Sequence, residues 1–399
     1  MPTLAGVAVT AGVLLATGLG IPADHLARLL VAGTPSTLEA YDESPGGTVA
    51  VVREPFQATS YHRLFIQGVS NSNDGLMSRR YMRLQALLPL LVHDGTPRSA
   101  LVIGLGTGIT CGALTRVAAL ERRVCVELLP AVVRTVGRFD GNYDVGRADG
   151  VTVREADGRH ELLVRDDAYD VITLEPPPPM AAGVVNLYSR DFYALAARRL
   201  APGGVMAQWL PLATQNDEDT RALVRSFLDV FPAATLWTTE LHETLLLGGT
   251  GAIRLDVPTI AARIAEPAVA ESLAEVGVAD PAALLATFVT NRDGLDAYAG
   301  DAPAVTDDRP GIEHAGWLRP GEFARVLAHV LAQRRDPVLA GSDDALAAQV
   351  TARRETLLAF YQAAVLWYAG DAAGVEPLLQ RVVGAEPTNP YYRWFLGLS

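Results

Sequence analysis

Two cysteines are all that the 399 residues contain. Cys111 and Cys125 make no C-x-x-C pair and sit in apolar or helical context, so they read as buried free thiols of a reducing compartment, not as a disulfide or a metal site. Histidine is sparse too. His62, His93, His160 and His242 fall in different segments without H-E-x-x-H or similar spacing, and no metal cofactor is expected. Positive charge is short as well: a formal charge of −12 and a pI near 5.1 leave no basic face for phosphates, so no nucleic acid is expected as partner. A small cationic molecule suits this balance better. Apolar residues are plentiful, at 49% against 20% charged, which excludes a disordered chain and supplies core for two or three domains.

Leu4 to Ile21 is uncharged and about the length of a bilayer-crossing helix, but it lacks the basic start of a secretory signal. A membrane-spanning or membrane-docked helix, a buried helix and a signal peptide all stay open; if it spans, Arg28 favours a cytoplasmic C-terminal portion. Residues 1–37 are therefore read as an apolar helix and linker. In 38–95, short β-rich runs at Thr48–Arg53 and Tyr61–Gln67, broken by Pro45-Gly46-Gly47 and Pro55, predict a small antiparallel region. A helix over about 79–92 follows, with Leu84, Leu87, Leu88 and Leu91 on one face.

From Ser99 strands and helices alternate. Strands are expected near 99–103, 123–127, 151–155, 169–174 and 203–209, and helices near 109–120, 130–138, 189–200 and 216–230. That rhythm predicts a doubly wound parallel sheet over 96–255. Ala234–Thr239 and Glu243–Leu247 are too close for a crossover helix and should pair antiparallel at one edge. The fold class is α/β, a mostly parallel sheet of class I methyltransferase type, with a small N-terminal β region and a helical C-terminal extension. Residues 256–320 read as a helical and loop cap. Residues 321–399 read as helical, ending in one tetratricopeptide-like pair that caps the domain or offers a surface to a protein partner.

The chemistry concentrates at Ser99–Glu127, which reads as strand, glycine turn, helix, strand, acid. Gly104, Gly106 and Gly108 let backbone approach a ligand, and Glu127 is placed to accept hydrogen bonds from a ribose. Asp157-Gly158 follows the third strand and Glu175 closes the fourth, so three of four strand ends present a carboxylate to one crevice. Three carboxylates would repel a phosphate anhydride. A sulfonium nucleoside fits them: Glu127 for the ribose, Asp157 for the adenine amino group, and Glu175 near the sulfur or as base for the attacking nucleophile. Displacement at a sulfonium needs positioning and the removal of one proton more than a metal.

Residues from about 38 to 317 resemble the spermidine synthase (polyamine aminopropyltransferase) family, particularly its bacterial branch fused to a major-facilitator-like module. LVIGLGTGIT, VELLP, ADGR, YDVITLEPPPP, NLYSRDFYALAARRLAPGGVMAQWLP and TDDRPGIEH carry the resemblance. It implies that Gly104, Gly106, Thr107, Gly108, Glu127, Asp157 and Gly158 bind an adenosyl donor, S-adenosylmethionine or its decarboxylated form. It puts Glu175 where the family has its catalytic aspartate and lines the acceptor cleft with Tyr81, Tyr188 and Gln208. It also implies a cytoplasmic protein, which Leu4–Ile21 could anchor to the inner face of the cell membrane. A homodimer stays open.

Three departures bear on the substrate. Thr107 replaces the family's donor-holding aspartate, Pro178 replaces the second acid of the fourth strand, and Tyr81-Met82-Arg83 replaces Tyr-His-Glu, exchanging an acid for a cation. A buried ammonium without its partners is costly, so these changes argue against putrescine. Arg79-Arg80 could hold an acidic group, and Asp307-Asp308 could close the cleft or bind a metal, with a solvated turn as the plainer account. The expected function is alkyl transfer, aminopropyl by resemblance or methyl, from a sulfonium donor to a small-molecule nucleophile. The alternatives are a methyltransferase and a non-catalytic nucleoside-binding or interaction module; a dinucleotide dehydrogenase is disfavoured by the glycine spacing.

Overall fold

β-Branched and aromatic residues alternating with polar ones across 37–73 build a four-stranded antiparallel meander, after a short helix α1 (His25–Val31). Its strands β1 (Thr37–Ser44), β2 (Gly47–Phe56), β3 (Thr59–Ile66) and β4 (Val69–Asn73) pair in sequence order. The computed structural model describes residues 22–44, 46–57, 59–313, 315 and 317–397. Leu4–Ile21, the candidate membrane segment, lies outside them. Among the described residues no helix is long and apolar enough to cross a membrane.

Helix α2 (Leu76–Val92) links the meander to the main sheet. Its 14 buried residues include Arg80, Arg83 and Gln85 as well as the leucine face, so it is packed on all sides; among the described residues the side-chain amide of Gln85 has no hydrogen-bond partner.

The main sheet opens with β5 (Ser99–Ile103), β6 (Arg122–Glu127), β7 (Val151–Glu155), β8 (Tyr169–Leu174) and β9 (Leu200–Pro211), joined in parallel. The crossovers carry α3 (Ile109–Ala113), α4 (Pro130–Thr135), α5 (Gly158–Val164) and α6 (Arg190–Arg198). Helix α3 is shorter than the expected 109–120, tightening into a 3-10 turn at Leu114–Arg116. Gly112 explains the limit: a Cβ there would lie 1.9 Å from the carbonyl oxygen of Asn142, so an adjacent loop crosses the helix directly.

After α7 (Asp217–Leu228) come β10 (Ala233–Thr238) and β11 (Glu243–Gly249). β11 inserts antiparallel between β9 and β10. The short strand β12 (Leu255–Asp256) follows, and residues 256–300, expected to be helical, also contain β13 (Phe288–Asn291), which pairs antiparallel with the outer side of β10. A run of four residues leaves no helical period to read, and β10's open edge supplies its partner. The order β13-β10-β11-β9-β8-β5-β6-β7 is the class I methyltransferase arrangement with one added edge strand. In chain order α8 (Val257–Ile264), α9 (Pro267–Ala274) and α10 (Pro281–Ala286) precede β13, and α11 (Arg292–Ala299) follows it.

The C-terminal part contains α12 (Glu322–Ala332), β14 (Leu339–Ala340) paired with β12, and three further helices, α13 (Asp344–Tyr368), α14 (Ala372–Ala385) and α15 (Pro390–Phe395). Phe360 of α13 packs against Tyr391, Tyr392 and Phe395 of α15, with ring centroids 5.1–5.3 Å apart, and the Arg80 guanidinium of α2 lies 4.0 Å from the Tyr391 ring centre. The last helices are thus fastened to the helix that borders the site.

Candidate active site

In a parallel sheet every strand delivers its last residue to the same rim. Here that rim carries the glycine turn after β5, Glu127 at the end of β6, Asp157 beyond β7, Glu175 beyond β8 and Pro211 at the end of β9.

The turn is built as glycine requires. Gly104, Gly106 and Gly108 have φ of 92°, 51° and 82°, in the left-handed region that side chains resist. A Cβ on Gly108 would also stand 2.6 Å from Val136 and 2.7 Å from Val145. The Glu127 carboxylate holds the turn: one oxygen accepts the N–H groups of Leu105 at 2.8 Å and Gly106 at 3.4 Å, the other that of Leu129 at 2.9 Å. Burial raises its pKa, and these N–H groups act against the rise.

Thr107 is buried, its hydroxyl donating to Met82 Sδ at 3.3 Å and its carbonyl accepting from Asn142 at 3.0 Å. Asp157 is exposed and caps α5, accepting the His160 N–H at 2.7 Å. Gly158 packs so tightly that a Cβ would sit 2.2 Å from Ile103 Cγ2. Asp307 accepts from Arg159 at 3.0 Å and from Ser189 at 2.7 Å, tying its loop to the start of α5.

Glu175 is the centre of the polar cluster. Its Oε1 accepts the Tyr81 hydroxyl at 2.6 Å. Although a part of the residue reaches the surface, withdrawal of the carboxyl from water pushes its pKa to about 7, against the lowering effect of the Tyr81 bond. Burial, and next the charge of Glu175, push the Tyr81 phenol well above its ordinary value. Tyr188 is fully buried beside this pair, its hydroxyl 3.4 Å from the Pro177 carbonyl. Gln208 pairs with Leu174, one residue below the rim. Its amide nitrogen donates to the Trp209 carbonyl at 2.9 Å, and its buried Oε1 has no partner among the described residues.

One acid escaped the sequence reading. Because β11 runs opposite to β9, its first residue, Glu243, lies against Pro211 on this same rim. Its carboxyl accepts the Trp209 indole N–H at 2.7 Å. Burial raises its pKa well above normal, reinforced by the charges of Glu240 and Glu175. The available signal was a glutamate opening a reversed strand. Arg83, expected to bring a repelling cation, is instead matched by Glu275 at 2.6 Å and the Ser272 carbonyl at 3.0 Å. Arg79 also binds Glu275, at 2.9 Å, and Arg80 donates to the Thr239 carbonyl at 2.9 Å. These arginines already have partners.

His62, Asp74 and Asp140 bring ligand atoms within 4.8 Å of one another. The Asp74 oxygens are engaged there by the His62 N–H, by His62 Nδ1 and by the Asp140 N–H at 2.6–2.8 Å, an arrangement that braces the meander against the loop beside the glycine turn.

No protein-family model matches the chain. It is 30% identical over 162 residues to a polyamine aminopropyltransferase of Moorella thermoacetica, covering 40% of this chain and 56% of the relative. It is 34% identical over 131 residues to one of Mycobacterium tuberculosis, covering 32% of this chain and 25% of the relative. The chain thus spans from a quarter to about half the length of these curated relatives. A crystal structure of a probable spermidine synthase from Corynebacterium glutamicum aligns with a TM-score of 0.48 at 16% identity, covering 67% of this chain and 96% of that one. Over 40% of its length, the chain is similar in sequence to a polyamine aminopropyltransferase.

Proposed function

We propose that the chain transfers an alkyl group from an S-adenosylmethionine-type sulfonium to an amine, with Glu175 as the base. The observation that carries this is the Glu175–Tyr81 pair: a carboxyl with a pKa near 7, held at 2.6 Å by a phenol, at the strand end facing the glycine turn. A base tuned near neutral pH is suited to taking a proton from an ammonium or from the attacking amine. The nitrogen lone pair forms a bond to the alkyl carbon next to sulfur, the C–S pair returns to sulfur as a neutral thioether, and the surplus proton passes to Glu175. The turn glycines with Thr107, Glu127, Asp157 and Gly158 form the donor side. Tyr81, Tyr188, Gln208 and Glu243 form the acceptor side.

Two features favour an amine. Glu243 supplies a second carboxyl where Pro178 has none, and a cation between it and Glu175 would relieve their mutual repulsion. The unpartnered oxygen of Gln208 calls for an N–H or O–H donor, since leaving it bare costs about 1–3 kcal/mol. The relatives' name supports aminopropyl as the transferred group, hence decarboxylated S-adenosylmethionine as donor. The test is chromatography of the nucleoside product after incubation with either donor and a panel of amines. Methylthioadenosine identifies aminopropyl transfer and S-adenosylhomocysteine identifies methyl transfer. Neither thioether forming with any pair, or Glu175→Gln turning over at the wild-type rate, overturns the proposal.

A further inference from the structure

The turn at residues 239–242, which joins β10 to β11 and delivers Glu243 to the rim, is closed by its own hairpin bonds and by the Leu212 N–H donating to the His242 carbonyl at 2.8 Å, and it is also gripped by elements outside the sheet. The Thr239 carbonyl accepts from Arg80 of α2 at 2.9 Å, and Arg80 in turn lies over Tyr391 of α15. The Glu240 carbonyl accepts the Tyr361 hydroxyl of α13 at 3.0 Å, in a buried contact. Leu241 lines an apolar groove with Phe360, Val375 and Phe395. His242 Nε2 lies 2.9 Å from the Tyr368 hydroxyl at the end of α13. Each of the four turn residues is therefore met by α13–α15 or by the arginine stacked on them. Glu243 itself closes the turn: its carbonyl accepts the N–H groups of Thr239 at 3.0 Å and Glu240 at 3.2 Å.

We infer that the C-terminal helices α13–α15 position Glu243, with Tyr361 and Tyr368 as positioning residues, and so set the grip of the site on its acceptor. A turn whose carbonyls and side chains are anchored by one body moves with that body, and the carboxyl one residue further on moves with it. The donor side, built on the glycine turn and Glu127, shares none of these contacts. The helices therefore act on acceptor binding and leave donor binding alone. This inference rests on the transferase reading for its kinetic consequence, though not for its geometric one.

Tyr361→Phe, and Tyr361→Phe with Tyr368→Phe, remove hydroxyls without removing rings, and circular dichroism checks that both fold. The single variant carries the test if the double one does not fold. The acceptor KM should rise about fivefold to tenfold, the loss expected for a buried hydrogen bond, with the dissociation constant of decarboxylated S-adenosylmethionine unchanged within about twofold. A second readout needs no turnover. The Trp209 indole N–H, which donates to Glu243, gives one ¹⁵N NMR resonance, assigned by its loss in Trp209→Phe, and it should shift in the tyrosine variants as it does in Glu243→Gln. An unmoved indole resonance overturns the inference, as does a rise in donor and acceptor constants together. A wild type without transfer refutes the reaction, while the indole shift still decides the positioning.

Discussion

Replacing Glu175 by glutamine should cost activity and yield a stability advantage that grows with pH. Glu175 titrates near 7 in the folded protein against an ordinary 4.5. Between those values the folded state binds a proton that the unfolded state has released, so the residue's favourable contribution is complete below about pH 4.5 and is lost as pH rises through about 7. At about 1.36 kcal/mol per pH unit, the full loss is about 3 kcal/mol, of which about 2.5 falls between about pH 5 and about pH 8. Glutamine cannot ionise and is exempt. Urea unfolding of both proteins at those two pH values gives the comparison, and the pH difference cancels any constant cost of the new amide. The stability of Glu175→Gln relative to wild type should grow by about 2.5 kcal/mol from the lower to the higher pH, while turnover falls by about 10²- to 10⁴-fold. A gap that does not widen would mean that Glu175 titrates as a solvated carboxyl, and the argument for a base tuned to neutral pH would fail with it.

Tyr81→Phe removes the hydrogen bond that holds the Glu175 pKa down, so the acid limb of the pH–rate profile should move to higher pH; an unmoved limb would separate the two residues functionally. Gly108→Ala puts a methyl 2.6 Å from Val136 at a φ of 82°, and thermal unfolding should show a loss of about 1–3 kcal/mol with weaker donor binding. Binding of a cationic amine near neutral pH should expel protons, because Glu175, with a pKa near 7, is partly protonated in the free protein. Calorimetry in buffers of different ionisation heat reads this directly, and an enthalpy independent of buffer would contradict it.

The parallel part of the sheet was legible because each strand is a short apolar run followed by its own crossover helix, and local pattern is enough to count such units. Glu127 and Glu175 were legible for the same reason: a strand end in a parallel sheet has only one rim to go to. Strand β13 was not, since Phe288–Asn291 is too short to show a period and owes its existence to an edge it meets only in the folded protein. Arg83 misled because a charge in a sequence carries no partner; the one it finds, Glu275, lies nearly two hundred residues away in the chain. Glu243 was hidden by the logic that exposed Glu175. A residue that opens a strand would face the opposite rim if the strand ran parallel, and only the reversal of β11 beside β9 turns it to the side of the carboxylates. Position 178 therefore understates the acidity of the site. The proline there removes one acid from the loop after β8, and the reversed strand returns one from another part of the chain, held in place by helices that the sequence pattern alone would leave as a surface.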